Sequence, residues 1–209
     1  MSDRRFTLFY APHSRASVAL GLMEEMDVPH ELQVLNLSQK QQRGDKYLAV
    51  NPMGKVPAIL HNGALITEQP AVFTYLADLF PEKNLAPPIG DPLRGPYLRW
   101  MFFYGSCFEP AVVDRSAQRT PLDPSTCPYS DFDTMFNTLE TQLKKGPWLL
   151  GDRFTVADVL WGSSLAWTLG FKLVPDTAVV RSYMERVTSR PALKRAAERD
   201  AQYAAAQQK

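Results

Sequence analysis

The stretch Asn51–Leu79, NPMGKVPAILHNGALITEQPAVFTYLADL, contains the turn and the change of hydrophobic period that decide the fold. Two short apolar runs, Val56–Leu60 and Ala64–Ile66, flank an Asn62-Gly63 pair. An Asn-Gly pair supplies the positive φ angles of a type I′ turn, so the two runs are predicted to form a β-hairpin. After the second run the apolar residues recur at helical spacing, and Pro70 suits the first turn of a helix, where its missing N–H has no partner to lose. The stretch is therefore predicted to fold as strand, turn, strand and helix.

The chain before this stretch predicts two more strands that are joined by a helix. Arg5–Tyr10 and Pro29–Leu37 are rich in β-forming residues, and between them Ser14 can cap a helix that ends near Met26. Strands joined through a helix are parallel, whereas a hairpin turn makes its two strands antiparallel. The first part of the chain therefore predicts a mixed, four-stranded sheet, with a short helical segment near Tyr47 before the hairpin.

A segment rich in proline and glycine, Pro81–Pro92, marks the predicted domain boundary. Beyond it the apolar spacing predicts a long helix from Leu93 to about Ser116 and no strand. Thr155 is predicted to cap a later helix, with Asp158 three residues on, where its carboxylate can bond back to the cap. The resulting division is a domain over 1–80, a linker over 81–91 and an all-α domain of about five helices over 92–209.

Length and composition narrow the class of protein. The chain has 209 residues, of which 45% are hydrophobic and 22% are charged, and its formal net charge is +1. Such a balance is ordinary for a soluble globular protein and favours neither a nucleic acid nor a membrane as a partner. Two cysteines, Cys107 and Cys127, are too few for a disulfide framework or a metal site, so no metal is expected and a cytoplasmic location is predicted.

Two blocks of residues resemble the cytosolic glutathione transferases, of a bacterial or fungal, theta-like or beta-like type. Asn51–Ala58, followed by Glu68–Val72, is similar to their glutathione-binding half, and Gly151–Asp158 is similar to a helix-start motif of their C-terminal domain. Together with Leu8–Arg15 the resemblance spans nearly the whole chain. It implies a thioredoxin-like N-terminal domain, a helical C-terminal domain, glutathione as cosubstrate and a homodimer.

Activation of glutathione requires groups that favour the thiolate. A thiol with a pKa of about 8.5 is only a few per cent ionised at neutral pH, and lowering that pKa by ~2 units needs ~2.7 kcal/mol. The resemblance places the activating residue in the turn after the first strand. Ser14 is the first candidate because its hydroxyl would lie at a helix N-terminus, where an anion is favoured. The alternative, that Ser14 is only a helix cap, has similar weight; His13 is the second candidate and Tyr10 the third.

The resemblance also assigns the glutathione-binding residues. It implies that the main chain of Val56 pairs with the cysteinyl unit, before a Pro57 that the family holds in cis. Lys55 would approach the glycyl carboxylate, and Glu68 and Gln69 the γ-glutamyl end. Gln69 departs from the family pattern, which places a serine there, although its main-chain N–H at a helix start could serve instead.

A hydrophobic electrophile would lie against the helical domain, where Met101, Tyr104 and Phe108 fall on one face of the long helix. The alternative is that these three residues belong to the core of that domain. The predicted activity is conjugation of glutathione to hydrophobic electrophiles, a detoxification reaction. Two other functions stay open: a glutathione-dependent disulfide reductase or peroxidase, and a non-catalytic binding or scaffold protein with the same fold.

Overall fold

The computed structural model describes residues 4–120 and 122–208, which form two compact units. The first unit contains the chain up to Leu79 together with the segment from Arg190 onward, and the second unit contains Phe80–Ser189. This division differs from the predicted all-α domain over 92–209, because the final helix packs in the first unit. The apolar spacing of that helix predicts a buried face without indicating which unit covers it.

The first unit is built on a four-stranded sheet with the order β2-β1-β3-β4. Its elements are β1 (Phe6–Tyr10), α1 (Arg15–Met26), β2 (His30–Val34), α2 (Asp45–Leu48), β3 (Ala58–His61), β4 (Ala64–Ile66), α3 (Gln69–Leu79) and α9 (Pro191–Ala206). β1 pairs in parallel with β2, and β3 pairs antiparallel with β4, as predicted. β3 also pairs antiparallel with β1, which places it next to β1 in the sheet. Asn62 and Gly63 both have positive φ, 50° and 79°, which confirms the hairpin turn.

Helix α9 packs closely on α1 within this unit. A Cβ added to Gly21 of α1 would lie 3.0 Å from the Leu193 side chain, so a small residue lets the two helices approach. Glu24 of α1 forms ion pairs with Arg195 and Arg199 of α9. A segment that follows the second unit in sequence therefore completes the first unit.

The second unit is built from helices, with two isolated β-bridges between Trp148 and Arg153, and its main elements are α4 (Arg94–Phe103), α5 (Glu109–Ser116), α6 (Phe132–Leu143), α7 (Val156–Gly170) and α8 (Ala178–Thr188). A π-helical turn, Tyr104–Phe108, joins α4 to α5, so the long helix predicted over 93–116 is continuous but locally widened. The N–H of Glu109 donates to the carbonyl of Tyr104, five residues back, and the next residue, Pro110, has no N–H. The wider turn is therefore located where the regular hydrogen-bond ladder is interrupted.

The predicted cap of α7 is confirmed. The Thr155 N–H donates to Asp158 Oδ2 at 2.8 Å, and both residues are fully buried. The same carboxylate accepts hydrogen bonds from the Leu149 N–H at 2.7 Å and from the Tyr183 hydroxyl at 2.9 Å, both onto Oδ1. Asp158 is therefore a structural residue that joins the start of α7 to α8 and to the segment before it.

Candidate active site

The loop before β3 is held rigidly by two side chains. Tyr47 and Asn51 both donate to the main-chain carbonyl of Lys55, at 2.6 and 2.9 Å, and Asn51 Oδ1 accepts the N–H of Met53 at 3.1 Å. Gly54 has a φ of +58°, and a Cβ there would lie 2.6 Å from the carbonyl oxygen of Gln42. The loop therefore depends on a glycine at this position, and the Lys55 side chain that follows is exposed.

The main chain of Val56 lies just outside the sheet. The Val56–Pro57 peptide bond is cis, as the resemblance implies, and the pairing of β3 with β1 begins only at Ala58, opposite Phe9. This antiparallel register brings the beginning of β3 next to the end of β1. Val56 is therefore located at the sheet edge where the turn after Tyr10 starts.

The start of α3 is fixed to the start of α1. Gln69 is buried, and its Nε2 donates to the carbonyl of Arg15, the first residue of α1, at 3.0 Å. Glu68, immediately before it, is exposed and has a φ of +62°. Gln69 thus has a structural hydrogen bond that the sequence did not indicate, while Glu68 is accessible.

Ser14 is the N-cap of α1. Its Oγ accepts the Ala16 N–H at 3.1 Å and donates to the carbonyl of Ala11 at 2.7 Å, and Ser17 Oγ in return accepts the Ser14 N–H at 3.3 Å. Ser14 therefore caps α1, and its activating role stays a prediction. Because a hydroxyl has a single proton, Ser14 can donate to a thiolate only if it gives up its bond to Ala11.

Tyr10, His13 and Ser17 converge on one carboxylate, that of Asp200 in α9. The hydroxyls of Tyr10 and Ser17 donate to Oδ1, and the His13 main-chain N–H donates to Oδ2 at 3.2 Å. Burial, together with the adjacent Asp200 carboxylate, raises the pKa of Tyr10 far above its usual range. Tyr10 is therefore neutral in this turn, and its hydroxyl donates its hydrogen bond to Asp200.

The glutathione-binding and activating candidates thus gather at one edge of the sheet, on the β1–α1 turn, the beginning of β3 and the beginning of α3. The described residues contain no group of three or more His, Cys, Asp or Glu side chains placed to hold a metal ion. Across residues 4–120 and 122–208, no helix combines the length and the apolar character needed to cross a membrane.

Comparison with known families identifies the family of this chain. A family model described as Glutathione S-transferase, N-terminal domain, matches residues 4–78, and one described as Glutathione S-transferase, C-terminal domain, matches residues 129–195. The chain belongs to the glutathione transferase family. The predicted fold class, a thioredoxin-like domain with a mixed four-stranded sheet plus an all-α domain, is thereby confirmed.

Relatives of known name agree with the family assignment over most of the chain. Glutathione S-transferase GstA of Escherichia coli O157:H7 is 28% identical over 187 residues, covering 88% of this chain and 93% of the relative. Disulfide-bond oxidoreductase YfcG of Escherichia coli K12 is 24% identical over 199 residues, covering 88% and 91%. The structure of a sphingomonad glutathione S-transferase complexed with glutathione superposes with a TM-score of 0.76 at 28% identity, covering 93% of this chain and 98% of that one.

The three residues that we predicted to contact an electrophile lie in the core of the second unit. Met101, Tyr104 and Phe108 are at most 1% exposed. The Tyr104 hydroxyl donates to Glu109 Oε1 at 2.6 Å and accepts from Ser164 Oγ at 2.9 Å. Their burial matches the alternative that they are core residues, and their contact with a cosubstrate stays a prediction.

The sequence alone did not indicate Asp200. No motif indicates it, because its partners in the β1–α1 turn lie more than 180 residues away along the chain. Its position in the final helix, among alanines and basic residues, is typical of a solvated helix face. Only the packing of α9 on α1 brings its carboxylate to the turn.

Proposed function

We propose that this chain is a cytoplasmic glutathione transferase that joins the thiolate of glutathione to hydrophobic electrophiles. The observation that supports the proposal is the shared sheet edge, where the main chain of Val56, outside the β ladder, lies beside the β1–α1 turn. Main-chain groups outside a ladder can pair with a peptide, and glutathione is a peptide with a thiol at its centre. The glutathione-bound sphingomonad relative is consistent with this proposal.

Each part of glutathione has a proposed partner. Val56 pairs its main chain with the cysteinyl unit, and Lys55 approaches the glycyl carboxylate from an exposed position on a fixed loop. Glu68 and the main chain of Gln69 receive the γ-glutamyl end, since the Gln69 side chain is bonded to Arg15. In this proposal the electrophile is held beside the second domain, with Met101, Tyr104 and Phe108 as the residues nearest to it.

Catalysis would rest on thiolate stabilisation and on proximity. Holding thiolate and electrophile together replaces an encounter in solution, and the thiolate, unlike the thiol, is the nucleophile. We also propose that the enzyme is a homodimer, as the family resemblance implies. Sedimentation equilibrium of the purified protein tests this, because a single species of 23.5 kDa would contradict it.

A calorimetric titration with glutathione tests the proposed function, followed by assays with an aryl halide, a hydroperoxide and a mixed disulfide of glutathione. Binding in the micromolar to low-millimolar range with turnover of the aryl halide is the expected result. Absence of binding at millimolar glutathione would contradict the proposal and favour the scaffold alternative, which copurification with a partner would then support.

A second candidate function is reduction of disulfides or peroxides. It is favoured by the similarity to a relative named as a disulfide-bond oxidoreductase, which covers 88% of this chain. The same glutathione site would serve, and only the acceptor would change. Activity on the mixed disulfide with none on the aryl halide would select this function over conjugation.

A further inference from the structure

The two oxygens of the Asp200 carboxylate have different partners. Oδ1 accepts the hydroxyls of Tyr10 and Ser17, which fix α9 to β1 and α1. Among the described residues Oδ2 contacts His13, accepting its main-chain N–H at 3.2 Å and lying 3.2 Å from its ring Nδ1. One oxygen therefore serves the packing of the unit, whereas the other determines the conformation of a single histidine.

His13 has an unusual backbone that this contact maintains. Its φ is +53°, in the left-handed region that side chains other than glycine rarely adopt. Residues held in this way concentrate at functional sites, because the surrounding structure must over-determine them. The Asp200 carboxylate contributes here, since Oδ2 accepts the main-chain N–H of His13 and lies 3.2 Å from its ring Nδ1.

The contact also selects a tautomer. Because Nδ1 lies 3.2 Å from Oδ2, which is an acceptor, the contact favours the neutral tautomer with the hydrogen on Nδ1 and the lone pair on Nε2. The His13 side chain is 72% exposed, and within the described part of the chain Nε2 has no hydrogen-bond partner. His13 thus presents a basic nitrogen to solvent from the turn in which thiol activation is expected.

The hydroxyls of the other two candidates in the turn already donate hydrogen bonds within the protein. The Ser14 hydroxyl donates to Ala11, and the Tyr10 hydroxyl donates to Asp200. We propose that His13 Nε2 accepts the proton of the glutathione thiol and that Asp200 is the positioning residue that orients the imidazole. This inference rests on the proposed function and deepens it by assigning the base.

The proton transfer is balanced within the site. The S–H bond of glutathione breaks, an N–H bond forms at Nε2, and the products are a thiolate and an imidazolium whose other nitrogen faces the Asp200 carboxylate. The thiolate then attacks the electrophilic carbon, and the imidazolium returns its proton to the leaving group or to water. Titratable groups near this contact include Tyr10 from β1 and, on α9, Tyr203, whose ring packs against Tyr10, and Arg199, which bonds to Tyr203.

Two variants test the assignment. His13→Asn removes the base but retains a residue that tolerates positive φ. Asp200→Asn retains an oxygen for Tyr10 and Ser17 while replacing the oxygen that faces His13. Glu24→Gln is the matched control, because it weakens another contact of α1 with α9 without touching the turn. Glutathione affinity by calorimetry, the ultraviolet absorbance of bound thiolate against pH, and kcat with an aryl halide are measured for each.

We expect glutathione affinity to be retained in both variants and the bound thiolate to form only at higher pH. kcat should fall by about 100-fold in His13→Asn and by at least about 10-fold in Asp200→Asn, with little change in KM for glutathione. Glu24→Gln should match the wild type in glutathione affinity, thiolate formation and kcat. The assignment of His13 is wrong if His13→Asn binds glutathione and retains both thiolate formation and kcat. It is also wrong if Ser14→Ala alone abolishes thiolate formation and kcat. In both cases the proposed function stands. Failure of the wild type to bind glutathione would instead remove the proposed function itself.

Discussion

Gln69 Nε2 donates to the main-chain carbonyl of Arg15 at 3.0 Å and thereby joins the first turn of α3 to the first turn of α1. Both helix N-termini contribute to the same edge of the sheet. A serine, which the resemblance implies at this position, is too short to span the same gap. The Gln69 side chain therefore links two helices, and replacing it is expected to affect both the stability of the fold and the proposed site.

Gln69→Met should lower the free energy of unfolding by about 1 kcal/mol, because it removes one buried hydrogen bond while nearly conserving side-chain volume. Glutathione affinity should fall as well, since the two helix starts are no longer fixed to each other. Urea denaturation and calorimetry measure the two effects. Unchanged affinity in a destabilised variant would mean that the Gln69–Arg15 bond supports the fold but not the site.

Lys55→Met should weaken glutathione binding by about tenfold or more, because a hydrogen bond to a charged group contributes about 1.5–3 kcal/mol. Stability should hardly change, since the Lys55 side chain is exposed and only its main-chain carbonyl is bonded. Lys46→Met, at an exposed position of α2, is the control for loss of positive charge. Equal weakening in both variants would indicate general electrostatic attraction rather than contact with the glycyl carboxylate.

Gly54→Ala should be far more destabilising than Gly63→Ala. Both glycines have positive φ, so both variants incur the cost of about 1–2 kcal/mol for a left-handed side chain. A Cβ at Gly54 would also lie 2.6 Å from the Gln42 carbonyl oxygen, whereas a Cβ at Gly63 would meet nothing within 4 Å. Thermal unfolding of the two variants compares them directly, and similar losses would show that the loop around Gly54 adjusts without cost.

Gly162→Ala should destabilise the second unit by about 1–3 kcal/mol through overpacking. A Cβ at Gly162 of α7 would lie 2.4 Å from Cβ of Val187 in α8. Adding Val187→Gly to the same chain should recover part of the lost stability. The double variant should then be less destabilised than the sum of the two single variants. Strict additivity in denaturant unfolding would mean that the helices separate instead of meeting at these two residues.

Glu24→Gln should reduce stability by about 1 kcal/mol near neutral pH, and the difference from the wild type should disappear in acid. Burial opposes ionisation of Glu24, but its bonds to Arg199 and Arg195 outweigh burial and hold the pKa of this carboxyl below its usual 4.5. A lowered folded-state pKa stabilises the protein above the unfolded-state pKa, and that contribution is lost as pH falls through the folded-state value. Chemical denaturation of both proteins at several pH values, from about 7 to about 3, measures this; a constant difference would contradict it.

Local signals in the sequence predicted much of the fold. The Asn62-Gly63 pair determines its own backbone angles. Thr155 and Asp158 are three residues apart, so their interaction could be predicted from the local sequence. The position of Ser14 as a cap is local for the same reason. Contacts of this kind depend on residue type and spacing alone.

Contacts between distant segments were not predictable in the same way. The π-helical turn depends on how one helix accommodates Pro110, and the Asp200 carboxylate reaches Tyr10 only because α9 packs on α1. The three electrophile candidates, including Tyr104, fall on a helical stripe that suits either a core or a ligand. Sequence periodicity identifies such a stripe without indicating what covers it.

The packing of α9 on α1 has a consequence for synthesis on the ribosome. The first unit is discontinuous, because residues 80–189 are translated between its two parts. At about 5–20 residues per second, the sheet and α1 wait several seconds before α9 emerges. During that interval the α1 face around Gly21 lacks its covering helix, and the β1–α1 turn lacks the carboxylate that binds Tyr10, Ser17 and His13. The nascent chain therefore completes the proposed glutathione site only after the helical unit has been made.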